Sequence, residues 1–296
     1  RAGEDEASVR GRLRMLFELR HPGVCLHECS LVDQACFYLV TERPAGPSLL
    51  AWFVGQGCYC GEVRARLLML QLLGAVAYLQ SVRVVNRDVR LESVFVDRGA
   101  SSATAESGHA SFTLKLHDFT VAAYLPGSEL RLEPVGTIMY AAPETLRGLC
   151  HIRSDCFSVG VVLFTLLVGA PPFHTETARA YLAGAWGSEW KRAADMAGAS
   201  TVVRSLMEEL LRPRPASRSS AQMALEHRWL AHPDYAQASD AKFAQWRSTF
   251  SPPDDYALRF LNACGTTPGG GPKSLRLSGS EQLFDCIPED AAMEDG

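Results

Sequence analysis

The sequence predicts an α+β fold in which a few short strands accompany a larger helical body. Three observations predict it. Apolar residues recur at helical spacing over Glu62–Gln80, where Leu67, Leu70, Leu73, Val76, Ala77 and Leu79 form a broad face. The segment from Ile152 to Val168 is apolar nearly all round, the mark of a deeply buried helix. Short runs of strand character, Val24–Leu31, Cys36–Thr41, Ser93–Val96 and Thr113–Leu116, lie between the helical segments.

Along the chain, residues 4–20 place Val9, Leu13, Leu16 and Phe17 on one helical stripe, and His21-Pro22-Gly23 ends it. Val32-Asp33-Gln34 reads as the turn between the first two strands. Arg43-Pro44-Ala45-Gly46-Pro47 interrupts regular structure, and the small, polar RGASSATAESGHAS segment reads as an exposed loop. Further helices are expected near 178–186, 200–212 and 219–230, with Trp190 and Trp229 as core aromatics. Beyond Pro233 the pattern fades into Gly/Pro-rich and acidic stretches.

Composition narrows the function classes. The 296 residues are 47% hydrophobic and 21% charged, as in ordinary globular protein, with a formal net charge of −4. That balance gives no reason to expect nucleic acid or an anionic membrane as partner. Apolar runs such as VGVVLFTLLVGA are too short to span a bilayer. The nine cysteines are irregularly spaced. Cys58 and Cys60 form a C-x-C, and Cys25 and Cys29 fit one helix face, but neither pair has the partners a zinc site needs, so free thiols are expected.

Four motifs in fixed order then carry a resemblance. They are Asn86-Arg87-Asp88-Val89, Asp118-Phe119-Thr120, Ala142-Pro143-Glu144 preceded by Gly136-Thr137, and Ser154-Asp155-Cys156-Phe157-Ser158-Val159-Gly160. In that order they resemble the H-R-D-L, D-F-G, A-P-E and D-x-W-S-x-G signatures of the eukaryotic protein kinases. Arg218 through Trp229 is similar to the ending of many Ser/Thr kinases. The likeness covers roughly residues 8–232, is closest to the calcium/calmodulin-dependent group, and includes a PIM-like hinge at Glu42-Arg43-Pro44. It implies a kinase-like fold that is mainly the helical C-lobe. Residues 1–41 would be a partial N-lobe, 42–48 the hinge, 49–232 the C-lobe and 233–296 a tail. The Gly-rich loop and the strand lysine would lie upstream of residue 1.

The resemblance also assigns roles. Asp88 matches the residue that orients the substrate hydroxyl and accepts its proton, with Arg90 and Thr137 beside it. Asp118 matches the magnesium-holding carboxylate, and Ser93 stands where the second metal ligand, an Asn, is usual. Pro44 and Ser48, with Asp118, fall at nucleotide-contacting positions. Glu144 with Arg218, and Asp155, match architectural residues. ATP and Mg2+ are the implied cofactors, and a protein substrate or binding partner the implied partner.

Four departures weigh against full activity: Ser93, Thr120 for Gly, Asn86 for His, and Arg12 where the helix Glu is expected, although Glu4, Glu6 and Glu18 lie close enough for a register shift to restore a carboxylate. Pro44 removes a hinge N–H as well. The reading is therefore a Ser/Thr kinase domain with impaired phosphoryl transfer, or else a pseudokinase that serves as a scaffold. Phe243, Trp246 and Phe250 share a helical face that would dock on the domain itself, and the few basic residues there argue against calmodulin. No targeting pattern is visible, so the cytoplasm is the default location.

Overall fold

In the computed structural model, which describes residues 6–32, 37–97, 112–173 and 189–232, the expected order of elements is realised with shifted boundaries. Helix α1 (Glu6–Glu18) leads through His21-Pro22-Gly23 into β1 (His27–Val32), which pairs antiparallel with β2 (Phe37–Thr41). The first strand begins three residues later than the sequence suggests. Val24 instead bridges Leu116, and Cys25 N–H donates to the Leu116 carbonyl at 2.9 Å, so this stretch ties α1 to a different part of the molecule. Cys25 and Cys29 therefore share no helix: Cys25 is buried ahead of β1 and Cys29 is exposed on it.

Helices α2 (Leu49–Gly55) and α3 (Glu62–Ser81) follow, then β3 (Val84–Val85), β4 (Val94–Asp97), β5 (Thr113–Leu116), β6 (Ala123–Tyr124) and β7 (Glu129–Arg131). Helix α4 (Pro143–Leu146), β8 (Leu149–His151) and α5 (Ser154–Val168) complete the middle of the chain. Among the described residues all sheet pairs are two-stranded and antiparallel: β1 with β2, β3 with β6, β4 with β5, and β7 with β8. Such ribbons are too small to stand alone, so each depends on the helices beneath it.

The later helices are α6 (Glu189–Met196), α7 (Thr201–Leu210), α8 (Ala221–Leu225) and α9 (Arg228–Ala231). The helix expected over 219–230 is broken in two because His227 leaves helical geometry and its Nδ1 accepts the Trp229 N–H at 3.2 Å as an N-cap. The helix expected near 178–186, the 98–111 loop and the aromatic face at 243–250 lie outside the described residues. Helices α2 and α6 carried no periodic signal long enough to predict.

The core runs between α3 and α5. Leu68, Leu72, Leu73, Val76 and Leu79 of α3 are buried against a helix whose residues Ser154 to Leu167 are all buried. Fully burying each such side chain stabilises by roughly 1.5–3 kcal/mol. Trp229 is fully buried, and its indole N–H donates to Glu62 Oε2 at 2.8 Å; Trp190 is only half-buried, edge-on to Phe164. Among the described residues no helix is long and apolar enough to cross a membrane.

Candidate active site

The loop between β3 and β4 is held from below. Asp155, at the start of α5, accepts the Asn86 N–H at 2.7 Å and the Arg87 N–H at 2.9 Å, one on each oxygen. Its burial pushes the carboxyl up to about 6, against the pull of those same donors. Arg87 takes a left-handed φ of 70°, uncommon for a residue with a Cβ, and Asp155 holds the flanking backbone in that turn.

Asn86 does more than fill a vacated histidine position. Its side-chain amide donates to the Asp118 carbonyl at 2.9 Å, and its Oδ1 accepts the Asp88 N–H at 3.1 Å. A single buried carboxamide therefore links the two aspartates through their backbones. Phe119, also buried, meets His27 edge-on at 5.5 Å between ring centroids. His27 is buried with no hydrogen-bond partner for either ring nitrogen among the described residues, and burial holds its imidazole down at about 4.

Asp88 is engaged at both oxygens. Thr137 donates to Oδ1 through its N–H and its hydroxyl, each at 3.0 Å, and Arg90 Nε donates to Oδ2 at 3.1 Å. Gly136 makes this approach possible: its φ is 96°, and a Cβ there would sit 2.5 Å from the Arg87 carbonyl oxygen. Burial raises the Asp88 carboxyl above its usual range, with Arg90 and Thr137 pulling the other way. Burial also opposes the charge on Arg90, but Asp88, Glu92 and Asp118 together hold its guanidinium above the ordinary value.

Ser93 closes the same loop. Its Oγ accepts the Arg90 N–H at 3.0 Å and lies 3.0 and 3.1 Å from the carbonyls of Asp88 and Arg90, one of which takes its proton. Asp118 has a left-handed φ of 63°, and its Oδ1 accepts the Thr120 hydroxyl at 2.6 Å and the Thr120 N–H at 3.3 Å. Arg12, reaching across from α1, donates to the Thr120 carbonyl at 3.1 Å. The helix register that puts Arg12 rather than a glutamate beside this segment is therefore the one the fold adopts.

Pro44 and Ser48 stand apart from the aspartates. Pro44 lines a cavity of about 650 Å³ together with Thr41, Glu42, Arg43, Ala45, Gly46, Phe95 and His117. Ser48 caps α2, its Oγ accepting the Ala51 N–H at 3.2 Å, and its backbone bridges Phe95. His117, next to Asp118 in sequence, connects the two places: its Nε2 is 3.1 Å from Thr41 Oγ1. The sequence reasoning passed over His117, Phe95, His27 and Glu92. Of these, Glu92 had a legible signal, an acidic residue inside the loop. Its Oε2 is buried with no hydrogen-bond partner among the described residues, and burial raises its carboxyl. No three His, Cys, Asp or Glu side chains converge as a metal cage among the described residues.

The arrangement is two backbone-anchored carboxylates, tied together by an amide, and a cavity walled by a β-strand end and an irregular segment, with His117 lining the cavity next to Asp118 in sequence. A family profile described as the protein kinase domain matches residues 1–230, which include every one of these groups. The chain belongs to the protein kinase family. The kinase domain is 29% identical over 239 residues to calcium-dependent protein kinase 7 of Arabidopsis thaliana, covering 78% of this chain and 42% of that protein. It is 27% identical over 229 residues to cAMP-dependent protein kinase catalytic subunit 3 of Drosophila melanogaster, covering 76% and 36%. Calcium-dependent protein kinase 4 of Plasmodium falciparum is 26% identical over 233 residues, with 76% and 41% covered. The matches span less than half the length of each of these relatives. The α+β fold described above is the one the family match implies.

Proposed function

We propose that this kinase domain transfers the γ-phosphoryl group of ATP to protein Ser or Thr hydroxyls, with impaired efficiency. The observation that carries the reading is Asp88, half-buried and clamped by Thr137 on one oxygen and Arg90 on the other. Phosphoryl transfer asks a protein chiefly for positioning and charge stabilisation. Asp88 would orient the acceptor hydroxyl and take its proton, and Arg90 would place a fixed positive charge beside the transferred group. Thr137 fixes the carboxylate against rotation.

The donor set fits Mg2+-ATP in part. Asp118 offers a carboxylate for the ion, whose role would be to neutralise phosphate charge, and the cavity at Thr41–Gly46 would take the base. Impairment follows from what the other groups already do. The Ser93 hydroxyl is occupied within its own loop, and the Asp118 carboxylate is partly engaged by Thr120. Arg12 at the Thr120 carbonyl favours the second reading, a pseudokinase acting as a protein-binding scaffold, because a positive side chain replaces the expected carboxylate on α1.

Thermal melting with and without Mg2+-ATP, alongside label transfer to a generic Ser/Thr substrate, tests the two readings. Transfer that is lost in Asp88→Asn supports the enzyme. Neither a melting shift nor transfer would leave the scaffold.

A further inference from the structure

The strip of chain that walls the cavity lacks a backbone donor at its centre. Pro44 at its middle has no N–H. The Glu42 N–H is already used, donating to the Leu26 carbonyl at 2.8 Å. The Thr41 hydroxyl is within hydrogen-bond distance of His117 Nε2. The strip also cannot slide to present another group. The Val96 N–H donates to the Pro47 carbonyl at 2.9 Å, and Ser48 bridges Phe95. A Cβ on Gly46 would lie 1.7 Å from the Val96 carbonyl oxygen, so the backbone there is pressed directly onto β4.

Phe95 supplies a flat apolar surface in the cavity, and its contact with His117 is edge-on at 5.6 Å. A planar heterocycle of either purine type can lie against such a ring. What separates the two purines is the edge. Adenine presents an amine donor next to a ring-nitrogen acceptor; guanine presents two adjacent donors, N1–H and its exocyclic amine, beside a carbonyl. A backbone N–H at the centre of the wall would bond the adenine acceptor and oppose the guanine N1–H. That opposition is how a site rejects a near relative, by leaving or clashing a buried polar group. With proline there, both the bond and the rejection are gone.

We infer that the cavity discriminates weakly between adenine and guanine nucleotides, so that GTP competes with ATP as the bound nucleotide, with Pro44 as the residue that sets this. The inference rests on the proposal that the cavity takes a nucleotide. Displacement of a fluorescent methylanthraniloyl-ATP by ATP and by GTP, with Mg2+, tests it on the whole chain.

The expected result is ATP and GTP displacement constants within about threefold of each other. In Pro44→Ala, which restores an N–H, ATP should gain about tenfold over GTP, the worth of one good hydrogen bond. Pro44→Gly supplies a second variant with the same N–H should the alanine form melt early. A preference for ATP above about thirtyfold in the unaltered chain, or selectivity unchanged in both variants, overturns the inference and leaves the nucleotide reading intact. Failure of the fluorescent nucleotide to bind at all, with the fold intact by melting, overturns both.

Discussion

Two of the carboxylate–arginine pairs among the described residues are built for different ends. Glu144 and Arg218 meet through paired contacts of 2.6 and 2.9 Å, with Arg218 wholly buried and Glu144 5% exposed. Their remaining capacity is filled: Ser154 donates to Glu144 Oε1, and Arg218 also donates to the carbonyls of Arg212, Arg153 and Pro213. Asp88 and Arg90 share a single contact of 3.1 Å, at 13% and 11% exposure. A second carboxylate, Glu92, stands 3.7 Å from the other side of the same guanidinium. The first pair is saturated and rigid, the second is only partly satisfied and has somewhere to go. A saturated buried pair fixes architecture, whereas an unsaturated, partly exposed one can respond to a ligand.

The comparison breaks most visibly at the saturated pair. Glu144→Gln or Arg218→Met should each cost about 3–5 kcal/mol in chemical denaturation, because one buried charge is left alone. The double change Glu144→Leu with Arg218→Met should cost less than the sum of the two, which a double-mutant cycle will read. At the other pair, Asp88→Asn should leave the denaturation midpoint within about 1 kcal/mol while lowering phosphoryl transfer by about a hundredfold or more. A fall in stability as large as at Glu144 would erase the distinction between the pairs.

Smaller effects sharpen it. Ser93→Ala removes the acceptor for the Arg90 N–H and should cost about 2 kcal/mol, with Ser93→Thr recovering part of the loss. The smallest expected effect is a net pH slope, because two buried groups oppose each other. Burial holds His27 near 4 in the folded chain against 6.5 unfolded, so the unfolded chain binds its proton first and this group alone lowers stability by about 3 kcal/mol as pH drops from 6.5 to below 4. Asp155 runs the opposite way: with its folded value near 6, it contributes stability at low pH that is lost as pH rises through 6. His27→Leu should therefore leave Asp155 unopposed, so that stability falls more steeply as pH rises from 4 to 6 in thermal melts. An unchanged slope would remove His27 from the account.

The parts legible in the sequence were those set by local chemistry. A strip of leucines specified α3, an all-apolar run specified α5, and motif order located Asp88, Asp118, Thr137, Glu144 and Asp155 in one structure. Illegible were contacts that depend on long-range closure. Nothing around His27 announces that it will meet Phe119, 92 positions away, nor that Arg12 will reach the Thr120 carbonyl. The two-residue strands β3 and β6 carry no pattern of their own; they form because Asp155 and Asn86 bring their neighbours together. Asn86 looked like a loss, an amide where a ring is usual. The fold uses it as a connector, since its side chain donates to the Asp118 carbonyl and accepts the Asp88 N–H at once.

The capped turn at Asp118-Phe119-Thr120 has a pharmacological consequence. An inhibitor that works by prising Phe119 from its seat must also rupture the Thr120–Asp118 contacts and detach Arg12. A compound confined to the cavity beside Pro44 disturbs none of these. Screening collections built on displaced-phenylalanine chemotypes should therefore yield few hits against this chain, and compact flat heterocycles should yield more.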